Sequence, residues 1–274
     1  MVNTGERIGE TADYVEYYAH ESYIEKAEET IINLLKENLS KMKMLDIGVG
    51  GGRTTLHFAH LVKEYVGIDY DENMIYACRK RFPDFDNTVS FLPADARSMN
   101  IFEDGFFDFI LFSVNGIDYV SHKERLKALR EIKRVGKKGG YFLFSSHNLN
   151  YVDNIFAPKY SVLRRSKNLG ERLKALLWIL LNHNAKRLKT QDYSMIRDEM
   201  YFHRLKWVIA GGWRRFRRYD NRPNYYIKPK AQIKQLENIG FRSIKVYSME
   251  GEEIKNIGED NTKSDNWLHY FCEI

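Results

Sequence analysis

Acid and glycines alternate in Asp46-Ile47-Gly48-Val49-Gly50-Gly51-Gly52-Arg53, directly after the apolar pair Met44-Leu45. Glycines let backbone N–H groups come close to a ligand, because no Cβ stands in the way. Arg53-Thr54-Thr55-Leu56 opens a helix-like pattern, and a second apolar run, Tyr65-Val66-Gly67-Ile68, ends in Asp69. Strand, glycine turn, helix, strand, acid is the order of a βαβ nucleotide-binding unit, whose second acid is placed to bond ribose hydroxyls. The spacing departs from the dinucleotide pattern G-x-G-x-x-G, since the glycines fall at every second position after Asp46.

The run Asp46-x-Gly48-x-Gly50-x-Gly52 resembles motif I of the class I S-adenosylmethionine (SAM)-dependent methyltransferases. SAM has an adenosine but no pyrophosphate, and an acid beside the turn suits its ammonium group. The resemblance implies further contacts down the chain. Asp69, in Gly67-Ile68-Asp69-Tyr70, corresponds to the ribose-binding acid, and Met74 to the apolar cover of the adenine. Asp95, in Pro93-Ala94-Asp95-Ala96, corresponds to the acid that bonds the adenine amino group. Arg53, Tyr70, Ala96, Ser113 and Tyr18 complete the expected cofactor contacts, beside Asp46, Gly48, Gly50 and Gly52. Phe107–Ser113 resembles the family's fourth strand, and Tyr141–Ser145 its fifth. The likeness is good over residues 40–148 and looser over 226–274.

The elements that must carry these residues follow from periodicity. Strand and helix patterns alternate from Met44 to Phe144, which predicts a parallel sheet with helices on both faces. Before it, Ile24, Ala27, Ile31, Leu34 and Leu35 share a helix face, and Ser22-x-x-Glu25 has the form of a capping box. Asp71 is placed to cap a helix over 72–81, and Ser121 or His122 starts another that Gly136 ends. Pro229–Ile239 is a short helix closed by Gly240, and 241–249 and 267–274 form a final antiparallel pair. The fold class is α/β: a Rossmann-like methyltransferase fold with a seven-stranded, mostly parallel sheet and an antiparallel last strand. The resemblance implies strand order 3-2-1-4-5-7-6. Four units result: a tyrosine-rich lid and helix (1–40), the SAM-binding core (41–148), a basic, mostly helical insertion (149–225), and a closing helix and hairpin (226–274). Residues 148–225 show no clear strand pattern.

Composition bounds the rest. The chain has 274 residues, 43% of them hydrophobic, enough for one core with an embedded subdomain. Two cysteines, Cys78 and Cys272, are too few for a disulfide framework. The N-terminus lacks a signal-peptide pattern, and no apolar run is long enough to span a bilayer, so a cytoplasmic location is expected. The net charge of +6 is unevenly spread: residues 151–226 carry 17 Lys and Arg against 6 Asp and Glu. That basic segment admits three readings: a solvated face, a holder for a phosphate-bearing acceptor, or an RNA contact through Trp213-Arg214-Arg215-Phe216-Arg217-Arg218-Tyr219.

Methyl transfer from a sulfonium needs a positioned acceptor and excluded water, and a hydroxyl acceptor also needs a base. His147, just past strand five, is the best-placed histidine; the competing reading is a backbone-bonded turn residue. Tyr14, Tyr17 and Tyr18 are placed to close over the cofactor, and Tyr225 and Tyr226 to line the acceptor pocket. Strand four is not followed by Asn-Pro-Pro-Tyr, which counts against amino-methylation of adenine or glutamine. No cysteine stands at that mouth for an adduct on a pyrimidine, and no spacing indicates a metal site. The expected activity is therefore methylation of an oxygen or nitrogen of a small molecule, with a saccharide or nucleotide-linked sugar as the leading class. RNA methylation, or SAM binding without turnover, is the alternative.

Overall fold

The computed structural model describes residues 12–156, 170, 192–197 and 223–274. Its elements run α1 (Ala12–Ala19), α2 (Lys26–Leu39), β1 (Lys43–Ile47), α3 (Thr55–Phe58), β2 (Glu64–Asp69), α4 (Glu72–Arg81), β3 (Val89–Pro93) and β4 (Phe107–Phe112). A 3-10 turn (Gly116–Tyr119) leads to α5 (His122–Val135), β5 (Gly136–Asn148) and α6 (Leu149–Phe156). Then come β6 (Tyr193–Arg197), β7 (Pro223–Ile227), α7 (Pro229–Ile239), β8 (Arg242–Tyr247), α8 (Glu259–Thr262) and β9 (Trp267–Glu273).

β1 pairs in parallel with β2 and β4, β2 with β3, and β4 with β5. β9 runs antiparallel to β5 and β8. The path β3-β2-β1-β4-β5-β9-β8 is the expected seven-stranded order, mostly parallel, with its last strand reversed.

Two further strands correct the expectation that 148–225 holds none. β6 pairs antiparallel with β7, and β7 pairs in parallel with the end of β5 through His147–Tyr226 and Asn148–Ile227. His147 also pairs with Trp267 of β9. A strand has two edges, so β7 occupies the edge of β5 that β4 leaves free beyond Phe144. The helices expected over 169–188 and 197–209, and the 213–219 cluster, lie outside the described residues.

Near-continuous apolar runs leave β1, β2 and β4 buried on both faces. On one face Leu45, Ile68, Ile110, Phe142 and Phe144 pack with Leu129 and Ile132 of α5 and Leu236 of α7. On the other, Met44, Tyr65, Phe109 and Leu143 pack with Ala27, Ile31 and Leu35 of α2, Phe58 of α3 and Ile75 of α4. The α2 start falls one turn later than the Ser22 pattern indicated. Glu25 is the N-cap, and it forms a reciprocal capping box with Glu28. Leu34, expected on the apolar face, is half-exposed. Asp71 caps α4 by accepting from Asn73 N, and Ser121 caps α5 by accepting from Glu124 N.

Candidate functional site

The turn after β1 is shaped by two glycines in particular. Gly50 has φ 55°, a left-handed conformation that glycine adopts without strain, and this aims its N–H at Asp69 Oδ2, 3.0 Å away. A Cβ on Gly51 would lie 2.3 Å from the carbonyl oxygen of Tyr18. Hydrogen at that position is what allows the end of α1 to close over the turn.

Asp69 ends β2 nearly buried, at 7% exposure. Its Oδ1 accepts from Asp71 N at 2.9 Å, so both carboxylate oxygens are fixed by backbone donors. Burial pushes its pKa up to about 6, against the pull of those N–H groups. Asp46, in β1, is also buried; it accepts from Thr54 Oγ1 and from Tyr65 OH at 2.5 Å. Burial likewise raises it to about 6.

Between these acids and the β3 and β4 ends lies a cavity of about 500 Å³. Asp46, Gly48, Gly50 and Arg53 line it from the first turn; Asp69, Tyr70 and Met74 from the second. Asp95 and Ala96 line it after β3, Ser113 after β4, and Tyr18 from the N-terminal side. Of the expected cofactor residues, only Gly52 stands outside the wall: a Cβ there would meet Phe82 Cε2 at 2.4 Å, so it serves packing against α4. Tyr17 is half-exposed, and the side chain of Tyr14 is outside the described residues.

Asp95 is not free. Arg97 grips its carboxylate, with Nε 2.9 Å from Oδ1 and Nη2 2.5 Å from Oδ2, and Arg97 N also donates to Oδ1. Partial burial would raise the pKa of Asp95, but the Arg97 hydrogen bonds outweigh it and hold the acid below its usual range.

One cavity residue has a partner the motifs did not reveal. Arg53 binds Glu28 of α2 through two parallel bonds, Nη1–Oε2 at 2.8 Å and Nη2–Oε1 at 2.7 Å. Arg53 Nη2 also reaches Ser113 Oγ at 2.8 Å, and Ser113 donates to Glu28 Oε1. Glu28 is fully buried. Burial opposes its charge, yet the Arg53 contact prevails and lowers its pKa. The available signal was a carboxylate next to Ala27 on the buried face of α2, one turn before Ile31.

His147 and the two late tyrosines are placed differently from expectation. His147 is 7% exposed and is absent from the cavity wall. Its N and Nδ1 both bond Asp118 Oδ2, at 2.7 and 2.9 Å. Asp118 also pairs with Arg125, which donates to Ser146 Oγ and Gln232 Oε1. This buried network joins α5, α7 and the end of β5, and His147, expected as a base at the cavity, does not line it. Tyr225 and Tyr226 are fully buried in β7 and do not line the cavity either.

Residues 45–144, from β1 to the middle of β5, match the family described as methyltransferase domain. The chain carries a class I SAM-dependent methyltransferase domain. The Bacillus subtilis (strain 168) uncharacterized methyltransferase YcgJ is 32% identical over 139 residues, covering 48% of each chain. The ubiquinone/menaquinone biosynthesis C-methyltransferase UbiE of Shewanella sp. (strain W3-18-1) is 32% identical over 133 residues, covering 47% of this chain and 48% of that one. The chain spans about half the length of the curated relatives it matches. A solved SAM-dependent methyltransferase from Clostridium acetobutylicum ATCC 824 shares the fold, with a TM-score of 0.57 at 15% identity over 91% of both chains. SAM is the methyl donor of the methyltransferase domain's family, and the cavity fits it. Two acids end adjacent strands, an Arg–Glu pair stands by the turn, and the volume suits a ligand of that size. No helix of the described residues is long and apolar enough to cross a membrane.

Proposed function

We propose that this protein transfers a methyl group from SAM to an oxygen or nitrogen of a small molecule. The observation that carries the reading is the cavity walled by Asp46, Asp69 and Asp95 at the carboxyl ends of β1, β2 and β3. Bound SAM supplies an activated sulfonium methyl, ready for in-line displacement. Asp69, its oxygens already oriented by Gly50 and Asp71, accepts from the two ribose hydroxyls. Asp46 faces the ammonium, and Arg53 the carboxylate of the methionine end. Met74 covers the adenine, and Asp95 takes its amino group alongside Arg97. Tyr18 closes the N-terminal side and excludes water.

The acceptor class rests on charge. Basic residues between 151 and 226, among them Arg214, Arg215, Arg217 and Arg218, favour an acceptor with a phosphate, such as a nucleotide-linked sugar. The UbiE relative is named for carbon methylation, and that favours a second reading in which the acceptor is a ring carbon. Labelled SAM incubated with the protein and pooled nucleotide sugars, phenols, small metabolites or RNA tests the choice. Label in the sugar pool is expected. Label only in phenol carbons supports the second reading, and label only in RNA rejects both. No label anywhere leaves a SAM-binding protein without turnover.

A further inference from the structure

The phenol of Tyr65 is fully buried among Met44, Phe58, Phe91 and Phe109, in the core layer that α2, α3 and α4 cover. Phenylalanine would fill the same space, and a buried hydroxyl is costly unless bonded, so packing alone does not account for the oxygen. That oxygen lies 2.5 Å from Asp46 Oδ2 and 3.0 Å from Thr55 Oγ1. Its one proton goes to the carboxylate, so Thr55 donates in the second contact. The strand register explains the reach. Tyr65 stands opposite Met44, and Asp46 follows Met44 by two residues on the same face of β1.

Thr54 Oγ1 donates to the same carboxylate oxygen. Both donors thus fall on Oδ2, and Oδ1 accepts from nothing among the described residues. Asp46 lines the cavity, so Oδ1 is the oxygen left for a ligand there. Other titratable groups face Asp46 from the turn, α2, α4 and β2. Arg53 favours the ionised acid and Glu28 opposes it, so that ion pair pulls both ways. Burial pushes the Cys78 thiol of α4 far up, and the phenol of Tyr65 likewise, so both stay protonated. Asp69, two residues past the β2 partner of Asp46, is the second acid raised to about 6. Burial is the largest influence on Asp46, and the bonds from Thr54 and Tyr65 come next, both favouring its charged form.

We propose that Tyr65 is a positioning residue for the methyl donor: with Thr54 it pins Oδ2 of Asp46 and presents Oδ1 to the ammonium group of SAM. This rests on the methyltransferase reading above and adds the residue that prepares the amino-acid end of its site. Tyr65 is absent from the cavity wall and acts through Asp46. Only an ionised Asp46 attracts the ammonium, and a hydrogen bond to the charged form keeps the acid ionised to lower pH. Removing the phenol oxygen therefore moves the loss of donor binding to higher pH. A hydrogen bond to a charged group is worth about one to two pH units in this sense.

The test is calorimetry of S-adenosylhomocysteine (SAH) binding to the full chain, from pH 8 to pH 5.5, with circular dichroism as the folding control. SAH carries the same ammonium group as SAM. Asp69 is present in every variant, so its titration cancels from the comparison. Tyr65→Phe should bind within about 3-fold of wild type at pH 8 and about 10-fold more weakly at pH 5.5. Thr54→Val loses the other donor to Oδ2 and should diverge from wild type in the same direction. In an Asp46→Asn chain, adding Tyr65→Phe should change SAH affinity by less than about 2-fold at every pH, because the two residues act as one unit. A gap between Tyr65→Phe and wild type that is constant with pH would make the residue merely structural and overturn the proposal. An undiminished Tyr65→Phe effect in the Asp46→Asn chain would do the same. Should Asp46→Asn not fold, parallel pH curves for Tyr65→Phe, Thr54→Val and wild type overturn it on their own. A wild-type chain that binds no SAH would instead overturn the methyltransferase reading itself, and this proposal with it.

Discussion

Replacing Asp69 by asparagine separates what this residue does for the fold from what it does for the cofactor. Its carboxyl is raised from an ordinary 3.8 to about 6 by burial. Two units at 1.36 kcal/mol each mean that the ionised acid costs the fold about 3 kcal/mol at pH 7.5. Asparagine removes that cost. It also keeps only one accepting oxygen for the N–H groups of Gly50 and Asp71, a loss of about 1–3 kcal/mol. The two effects nearly cancel, so urea unfolding should place the variant within about 2 kcal/mol of wild type. Cofactor binding has no such compensation. One ribose hydroxyl loses a charged acceptor, about 1.5–3 kcal/mol, which is about 10- to 10²-fold in SAH affinity. Calorimetry reads this directly. A variant as stable as wild type that binds SAH equally well would refute the assignment of Asp69 to the ribose.

Other outcomes follow from the same geometry. Asp46 and Asp69 both have pKa values raised to about 6, so between about pH 6 and 4 the folded chain holds protons that the unfolded chain has released. Their contribution makes stability rise as pH falls through that window; wild type should gain on Asp69→Asn from pH 7.5 to 5, and a constant difference in urea midpoints would contradict it. SAH affinity should move the opposite way, dropping below about pH 6 as the ribose acceptor is protonated. Asp118→Asn leaves Arg125 unpaired in a fully buried network and should cost about 3–5 kcal/mol, read by thermal or urea unfolding. Gly51→Ala places a Cβ against the Tyr18 carbonyl and should weaken SAH binding by displacing the α1 cover, with β1 and β2 intact by hydrogen exchange.

The sequence was most informative where chemistry is local. The glycine turn, Asp69 and Asp95 each announce themselves within a few residues, because a tight turn and a strand-end acid have short signatures. The alternation that predicted the parallel sheet is equally local. Glu28 was missed because its partners, Arg53 and Ser113, are 25 and 85 residues away. His147 looked catalytic by its place after strand five, yet Asp118, 29 residues earlier, claims it. No motif encodes that pairing. β6 and β7 were illegible for a related reason: each is five residues long, and their pairing is fixed by the edge of β5 that β4 leaves free rather than by their own pattern.

The central claim is that the cavity at the ends of β1 and β2 is built for the adenosine and amino-acid parts of SAM. Its most direct test is a pair of calorimetric titrations at pH 7.5, SAH and NAD into the same protein. One-site SAH binding of roughly −7 to −9 kcal/mol, in the micromolar range, and no measurable NAD binding are expected. Tight NAD binding with no heat from SAH would contradict it.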